Sequence, residues 1–247
     1  MSTLKEEYFF PNISDGALRI SYAASIGMSL GETRQYAEVF QTHLAGFKAI
    51  SLREDEHVDF IRQLCKKDCQ HVLDPTLLLR EADYEFLMPK KEVLGETFIF
   101  FFWLRHDMNL GLEIANSLSR KYNLPIVHSI LGAKKYTLRK AKKCMYGEGV
   151  ENFLWYIRNA CFVVTNSYHV TLFSIQFRTP FYVIPEKSMQ SRMDTLGKLL
   201  SVNDRILYNS VPIEKIDDSI DFDEIHNVLT DKRKESISFL KDALDID

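Results

Sequence analysis

The sequence predicts an α/β protein built on a parallel sheet. From Phe98 onward, short apolar runs alternate with stretches of helical spacing, the βαβ pattern of a sheet covered on both faces. The segment Phe162 to Pro185, FVVTNSYHVTLFSIQFRTPFYVIP, holds one complete unit of that pattern. Its apolar run FVVT stops at Asn166-Ser167-Tyr168, helical spacing follows His169, and a second run, FYVI, closes it. The bulk composition agrees: 247 residues, 46% hydrophobic and 26% charged, can bury a substantial core in one large or two small domains.

Taken in order, Leu18 to Ser25 (LRISYAAS) alternates as a strand, and Gly27 ends it. Glu32 to Leu44 has helical spacing, with Tyr36, Val39, Phe40 and Leu44 on one face. Phe47 to Leu52 is a second short strand, ending at Arg53-Glu54. Glu56 to Cys65 is a helix with Val58, Ile61 and Leu64 turned inward. His71 to Leu73 leads to Asp74-Pro75, where the proline restricts its predecessor and breaks the pattern. Glu81 to Thr97 is polar and contains Pro89, so a hinge is expected there, dividing residues 1–88 from 89–247. Beyond it come strand Phe98–Leu104, helix Asn109–Lys121, strand Pro125–Leu131 and a basic loop from Gly132 to Gly149. Helix Glu151–Asn159, strand Phe162–Thr165, helix His169–Phe177 and strand Phe181–Ile184 complete the series. Asp221 to Leu244 is amphipathic and reads as a tail helix. Residues 1–88 supply two or three strands, too few for a complete Rossmann half.

Several classes find no support. A net charge of −3 gives no reason to expect a nucleic-acid partner. The basic runs Lys134-Lys135 and Arg139 to Lys143 read first as solvated surface, and second as favouring an anionic substrate or membrane headgroups. The opening MSTLKEEYFFPN lacks the basic start and apolar core of a secretory signal. The longest apolar run, Phe98 to Leu104, is too short to span a bilayer. Cysteines 65, 69, 144 and 161 make no dense disulfide framework, and Cys65, Cys69 and His71 lack a matching second pair of metal ligands. A cytoplasmic location is the default expectation. Nothing matches the phosphate-binding G-x-x-x-x-G-K-[ST], G-x-G-x-x-G or the zinc-binding H-E-x-x-H.

His169 stands out chemically. In an open parallel sheet, ligands bind beyond the carboxyl ends of the strands, where helix N-termini aim their amides. A helix N-terminus repels the imidazolium, favouring the neutral ring that takes a proton from a hydroxyl. The bland alternative is a histidine satisfied by a nearby carbonyl. Asn166 and Ser167 are natural N-caps, and capping by itself accounts for them, although their amides can also hold a phosphate or carboxylate. Trp103, beside Arg105 and His106, is either a sugar-stacking ring or, as 12% aromatic content favours, core.

The His169 segment also resembles a family signature. It is similar to the motif V-x-T-D-S-F-H-G-T-x-F-S-I-x-F-x-K-P-F of the polysaccharide pyruvyl transferases. Further matches follow in order: ISYAASIG at Ile20–Gly27, ISLRE at Ile50–Glu54, VLDPTLLL at Val72–Leu79, ENFLWYIRNACFVVTNS at Glu151–Ser167 and SRMDTLGKLLSVNDRIL at Ser191–Leu207. The ordered set is more specific than any one motif. Departures are Asn166 for the usual Asp, Tyr168 for Phe and Val170 for Gly. Some members carry an arginine where this chain has Ser167.

The resemblance implies a glycosyltransferase-B-like fold, with a Rossmann-type C-terminal domain at 89–247. It implies that residues 1–88 are the remainder of an N-terminal α/β domain that is longer in other members. It implies transfer of pyruvate from phosphoenolpyruvate to a sugar of a surface polysaccharide as a ketal, the acceptor being a sugar or lipid-linked oligosaccharide. His169 would be catalytic. Arg53, Asn166, Ser167 and Arg192 would bind the donor, whose phosphate and carboxylate suit arginine's planar fork. Arg192 is expected in a loop after the last strand, and Arg205 in a structural ion pair. Asp74 should cap a turn. Neither a metal nor an organic cofactor is expected, and peripheral membrane contact is compatible with the basic runs. The competing readings are a nucleotide-sugar glycosyltransferase of the same fold and a non-catalytic remnant or subunit.

Overall fold

Among the described residues of the computed structural model (9, 13, 16–90, 92–104, 107–130, 138–208 and 219–246), eight strands form two all-parallel sheets. Two compact units contain them: Met1–Leu78 with Thr230–Asp247, and Leu79–Leu229.

In the first unit, β1 (Ile20–Ala24), β2 (Ala49–Leu52) and β3 (Cys69–His71) lie side by side in chain order. Parallel neighbours need a crossover. Helices α1 (Leu30–Arg34) and α2 (Ala37–Leu44) supply the first and α3 (Val58–Cys65) the second. The single helix expected over Glu32–Leu44 is two. Ser29 caps α1 in a reciprocal box with Glu32, and Gln35 and Tyr36 then bond back to Glu32 and Thr33, tightening the chain before α2. Phe40 and Leu44 of α2, Ile50 and Leu52 of β2, and Ile61 of α3 share one buried cluster. A second cluster joins Phe239 and Ala243, near the end of α10 (Phe222–Leu244), to Ala23 and Val72. The Leu73 N–H donates to Ser236 Oγ at 3.0 Å, and the Arg233 guanidinium to the Leu77 carbonyl at 2.6 Å. These contacts tie Thr230 onward to the first unit.

The second unit carries β4 (Ile99–Phe102), β5 (Ile126–His128), β6 (Ala141–Cys144), β7 (Phe162–Thr165) and β8 (Phe181–Val183). Their spatial order is β6-β5-β4-β7-β8, and a parallel bridge from Val183 to Ile206 extends the sheet past β8. Counted within the unit this is third, second, first, fourth, fifth, the doubly wound order, and it reverses between β4 and β7. Helices α6 (Asn109–Tyr122), α7 (Val150–Asn159), α8 (Tyr168–Gln176) and α9 (Gln190–Leu200) connect and follow these strands. Strand β4 is apolar throughout because both its faces are covered. Ile99, Phe101 and Trp103 pack with Ile114 and Leu118 of α6, while Phe98 and Phe100 meet Tyr156 of α7. Gly111 makes room for the indole: a Cβ there would lie 2.3 Å from the Trp103 ring. Phe153 of α7 meets Phe173 of α8, so α8 lies on the face opposite α6.

Two expectations change. The stretch read as a basic loop, Gly132–Gly149, contains β6, whose sequence AKKC shows no apolar run because it is an exposed edge strand. Lys134-Lys135 lie outside the described residues. The boundary between units falls after Leu78 rather than after residue 88. Glu81, at the start of α5 (Glu81–Tyr84), and Glu85 pair with Arg158 of α7 at 2.9 and 2.8 Å, and Tyr84 meets Phe173 and Phe177 edge-on.

Candidate active site

Where strand order reverses, here between β4 and β7, the helices leave on opposite faces, and in doubly wound sheets the ligand crevice lies at the carboxyl ends of those strands. Four of the five predicted site residues collect on the β7 side of it. Ser167 is the N-cap of α8: its extended backbone (φ −97°, ψ 128°) lets its side chain accept from the Val170 N–H. Thr165 Oγ1 accepts the Ser167 N–H at 3.0 Å, so the turn is held from both ends. Asn166 is 2% exposed, and both ends of its amide are engaged: Oδ1 accepts from the Leu104 N–H at 2.8 Å and Nδ2 donates to the Leu104 carbonyl at 2.7 Å.

His169 is the second residue of α8, in its first turn, and is exposed. Its ring meets Tyr168 edge-on, centroids 5.5 Å apart. Tyr168 is buried, and the Arg192 guanidinium lies over its ring at 5.6 Å. Arg192 is placed not in a loop but on the first turn of α9, where it also donates to the Ser188 carbonyl at 3.3 Å. Helical spacing at Met193, Leu196 and Leu200, all buried, explains that placement. Tyr168 thus joins the histidine to the arginine. Sequence reasoning noted it only as a departure; its position beside a candidate catalytic residue was the available signal.

Arg53 belongs to the first unit, at the carboxyl end of β2. Its Nη1 lies 2.6 Å from Asp74 Oδ2 and its Nε 4.0 Å from Glu54 Oε1, with both carboxylates buried. Ser25 donates a short hydrogen bond to Glu54. Asp74 Oδ1 accepts from the Thr76 N–H and hydroxyl at 3.0 and 2.8 Å, the expected turn cap, and starts α4 (Pro75–Leu78). Strand β1 bulges on its way to Ser25: Ala23 takes a left-handed φ of 49°, and its N–H donates to Ser51 Oγ at 3.1 Å. The Arg53 guanidinium lies between two buried carboxylates. The group is a prearranged polar cluster rather than a bare cationic patch.

Other groups divide between structure and background. Arg205 is 3% exposed, paired with Asp204 at 3.0 Å and bonded to the Tyr182 hydroxyl and Ser219 carbonyl, the expected structural role. Trp103 is core, while Arg105 and His106 lie outside the described residues. Burial pushes the Cys69 thiol up to about 12 and the Cys65 thiol upward as well. Burial also holds the His71 and His128 imidazoles below their ordinary value. Among the described residues no group of three or more His, Cys, Asp or Glu is arranged to hold a metal ion, and no helix is long and apolar enough to cross a membrane.

The family described as polysaccharide pyruvyl transferase matches residues 7–188. No curated protein matches the sequence. Among solved structures, the UDP-GlcNAc 2-epimerase of Methanocaldococcus jannaschii is similar with a TM-score of 0.52 and 12% identity, over 85% of this chain and 62% of that one. The glycosyltransferase SnogD from Streptomyces nogalater aligns at a TM-score of 0.43 and 12% identity, over 82% and 71%, a likeness too low to argue from. The chain spans about three fifths of the epimerase's length. At such identity the likeness speaks for the fold alone, an α/β architecture whose described strands form two all-parallel sheets.

Proposed function

The chain belongs to the polysaccharide pyruvyl transferase family, and from that premise we propose that it transfers pyruvate from phosphoenolpyruvate to a sugar as a cyclic ketal. Two hydroxyl oxygens of the acceptor add to the central carbon of the donor. The bond from that carbon to the phosphate oxygen breaks, and phosphate leaves. One hydroxyl proton ends on the methylene carbon, making it methyl, and the other on the departing phosphate. The reaction so written calls for no metal or organic cofactor.

His169 is assigned the proton transfers, as an exposed imidazole at the switch-point crevice. Arg192 is assigned the donor's anionic groups, aided by the amides at the start of α8. Arg53 is kept as a separate candidate for binding the donor's anionic groups, its fork held by Asp74 and Glu54. The single observation that carries this reading is the His169–Tyr168–Arg192 array at the reversal of strand order. A sugar carried on a lipid, with peripheral membrane contact from the cytoplasmic side, is the acceptor setting within the same proposal.

Calorimetry with phosphoenolpyruvate and with nucleotide-sugars tests the donor. Binding of phosphoenolpyruvate, followed by phosphate release when acceptor sugars are added, is the expected result. Nucleotide-sugar binding in its place would favour the glycosyltransferase reading, and binding of neither the non-catalytic one.

A further inference from the structure

At a switch point the two central strands part company: the backbone after β4 turns toward α6, and the backbone after β7 toward α8. Beyond the last paired residues, Phe102 and Thr165, the peptide groups on each side lose their ladder partners. Here the residue that follows β7, Asn166, supplies the missing rung with its side chain. Its carboxamide accepts from the Leu104 N–H and donates to the Leu104 carbonyl, the donor and acceptor pair that a peptide group would offer. On the other side of β4, the Trp103 N–H donates to Ser129 Oγ, just past β5, at 2.9 Å. Side chains from both neighbouring strands therefore hold the chain after β4. Leu104 itself is 47% exposed.

We propose that Asn166 is a positioning residue, whose amide sets the distance between the Leu104 wall of the crevice and the turn that carries Ser167 and His169. This replaces the direct donor contact expected for Asn166. It rests on the functional reading above only for its consequence in turnover. Two features support it. The side chain is 2% exposed, with both polar ends committed at 2.7–2.8 Å, which leaves little for a ligand. The clamp also joins the backbone of one switch-point strand to the residue beside the α8 cap, so slack in it would pass directly to His169. An aspartate is the same size but cannot do this work. Its carboxylate accepts from the Leu104 N–H yet faces the Leu104 carbonyl with a second negative oxygen, on a side chain that is itself 2% exposed.

Asn166→Ala and Asn166→Asp test this, with amide exchange of Leu104 followed by NMR and single-turnover pyruvyl transfer measured well below the melting temperature. In Asn166→Ala the Leu104 amide should exchange at least about tenfold faster, since it loses its acceptor. Transfer should slow by about tenfold or more while phosphoenolpyruvate affinity moves by less than about threefold, as for a misplaced reacting group. Asn166→Asp should melt lower than Asn166→Ala despite its closer shape. Unchanged Leu104 exchange in the folded alanine variant overturns the clamp. Faster exchange with unchanged transfer overturns the positioning role. Lost donor affinity with Leu104 still protected returns Asn166 to ligand contact. A wild-type protein that transfers no pyruvate sinks the functional reading, and the exchange measurement still decides the clamp.

Discussion

Replacing His169 by alanine should separate rate from stability more sharply than any other single change. His169 is exposed, so its removal takes little buried area from the core. Tyr168 stays buried beneath Arg192. Alanine is also the better helix former. An exposed side chain on a helix puts the expected loss at about 0.5–1 kcal/mol, or a fall in melting temperature of about 2–4 °C. Loss of a general acid–base group slows turnover by about 10²–10⁴-fold, equivalent to about 2.7–5.5 kcal/mol of barrier. The rate effect is therefore several times the stability effect. His169→Asn should be as slow as His169→Ala, because an amide hydrogen-bonds but does not shuttle a proton near neutral pH. The assay is a melting curve and a single-turnover transfer measurement on the same preparations. An alanine variant that melts like the wild type and turns over at the wild-type rate would refute the assignment.

Arg192→Ala should weaken phosphoenolpyruvate binding by about 1.5–3 kcal/mol in calorimetry, and Arg192→Lys should recover only part of it; full affinity in both would count against a donor contact. Arg53→Ala should do the same and also lower stability, because the buried Asp74 carboxylate would lose the guanidinium 2.6 Å away. A mild thermal effect there would mean the cluster is more solvated than its burial implies. His57 is fully buried, with neither ring nitrogen hydrogen-bonded among the described residues, so His57→Leu should raise the melting temperature. A fall of several degrees would show that the ring has a polar partner. Burial lowers the His128 imidazole, opposed by a backbone hydrogen bond at Ile130, and lowers that of His71. Between those depressed folded-state values and the ordinary 6.5, the unfolded chain binds protons that the folded chain refuses. Their stabilising contribution is thus complete above about pH 6.5 and declines as the pH falls below it. His128→Phe should flatten that decline in urea titrations at several pH values, and an unchanged slope would exclude His128 as a source.

Much of this was legible along the chain. FVVT, FYVI and the run from Phe98 announced central strands because a strand covered on both faces must be apolar at every position, and that signal is local. The Asn166-Ser167 stop announced a helix start for an equally local reason: capping involves residues two or three apart. His169 could be placed on the first turn of α8 from those two facts. Strand β6 could not be read. An edge strand needs no apolar face, so AKKC carries no periodic signal, and only pairing with β5 makes it a strand.

The sequence by itself determined the α/β class, the order of most elements and which residue types stand at the β7–α8 turn, since each depends on neighbours within a few positions. Tertiary structure alone decided what those side chains touch. It committed the Asn166 amide to Leu104, 62 residues away, and laid Arg192 over Tyr168 from a different helix. It set Arg53 between Glu54 and Asp74, and divided the long tail helix between two units. Hydrogen bonds and ring contacts of that kind depend on which strands become neighbours, and that order is a property of the whole sheet.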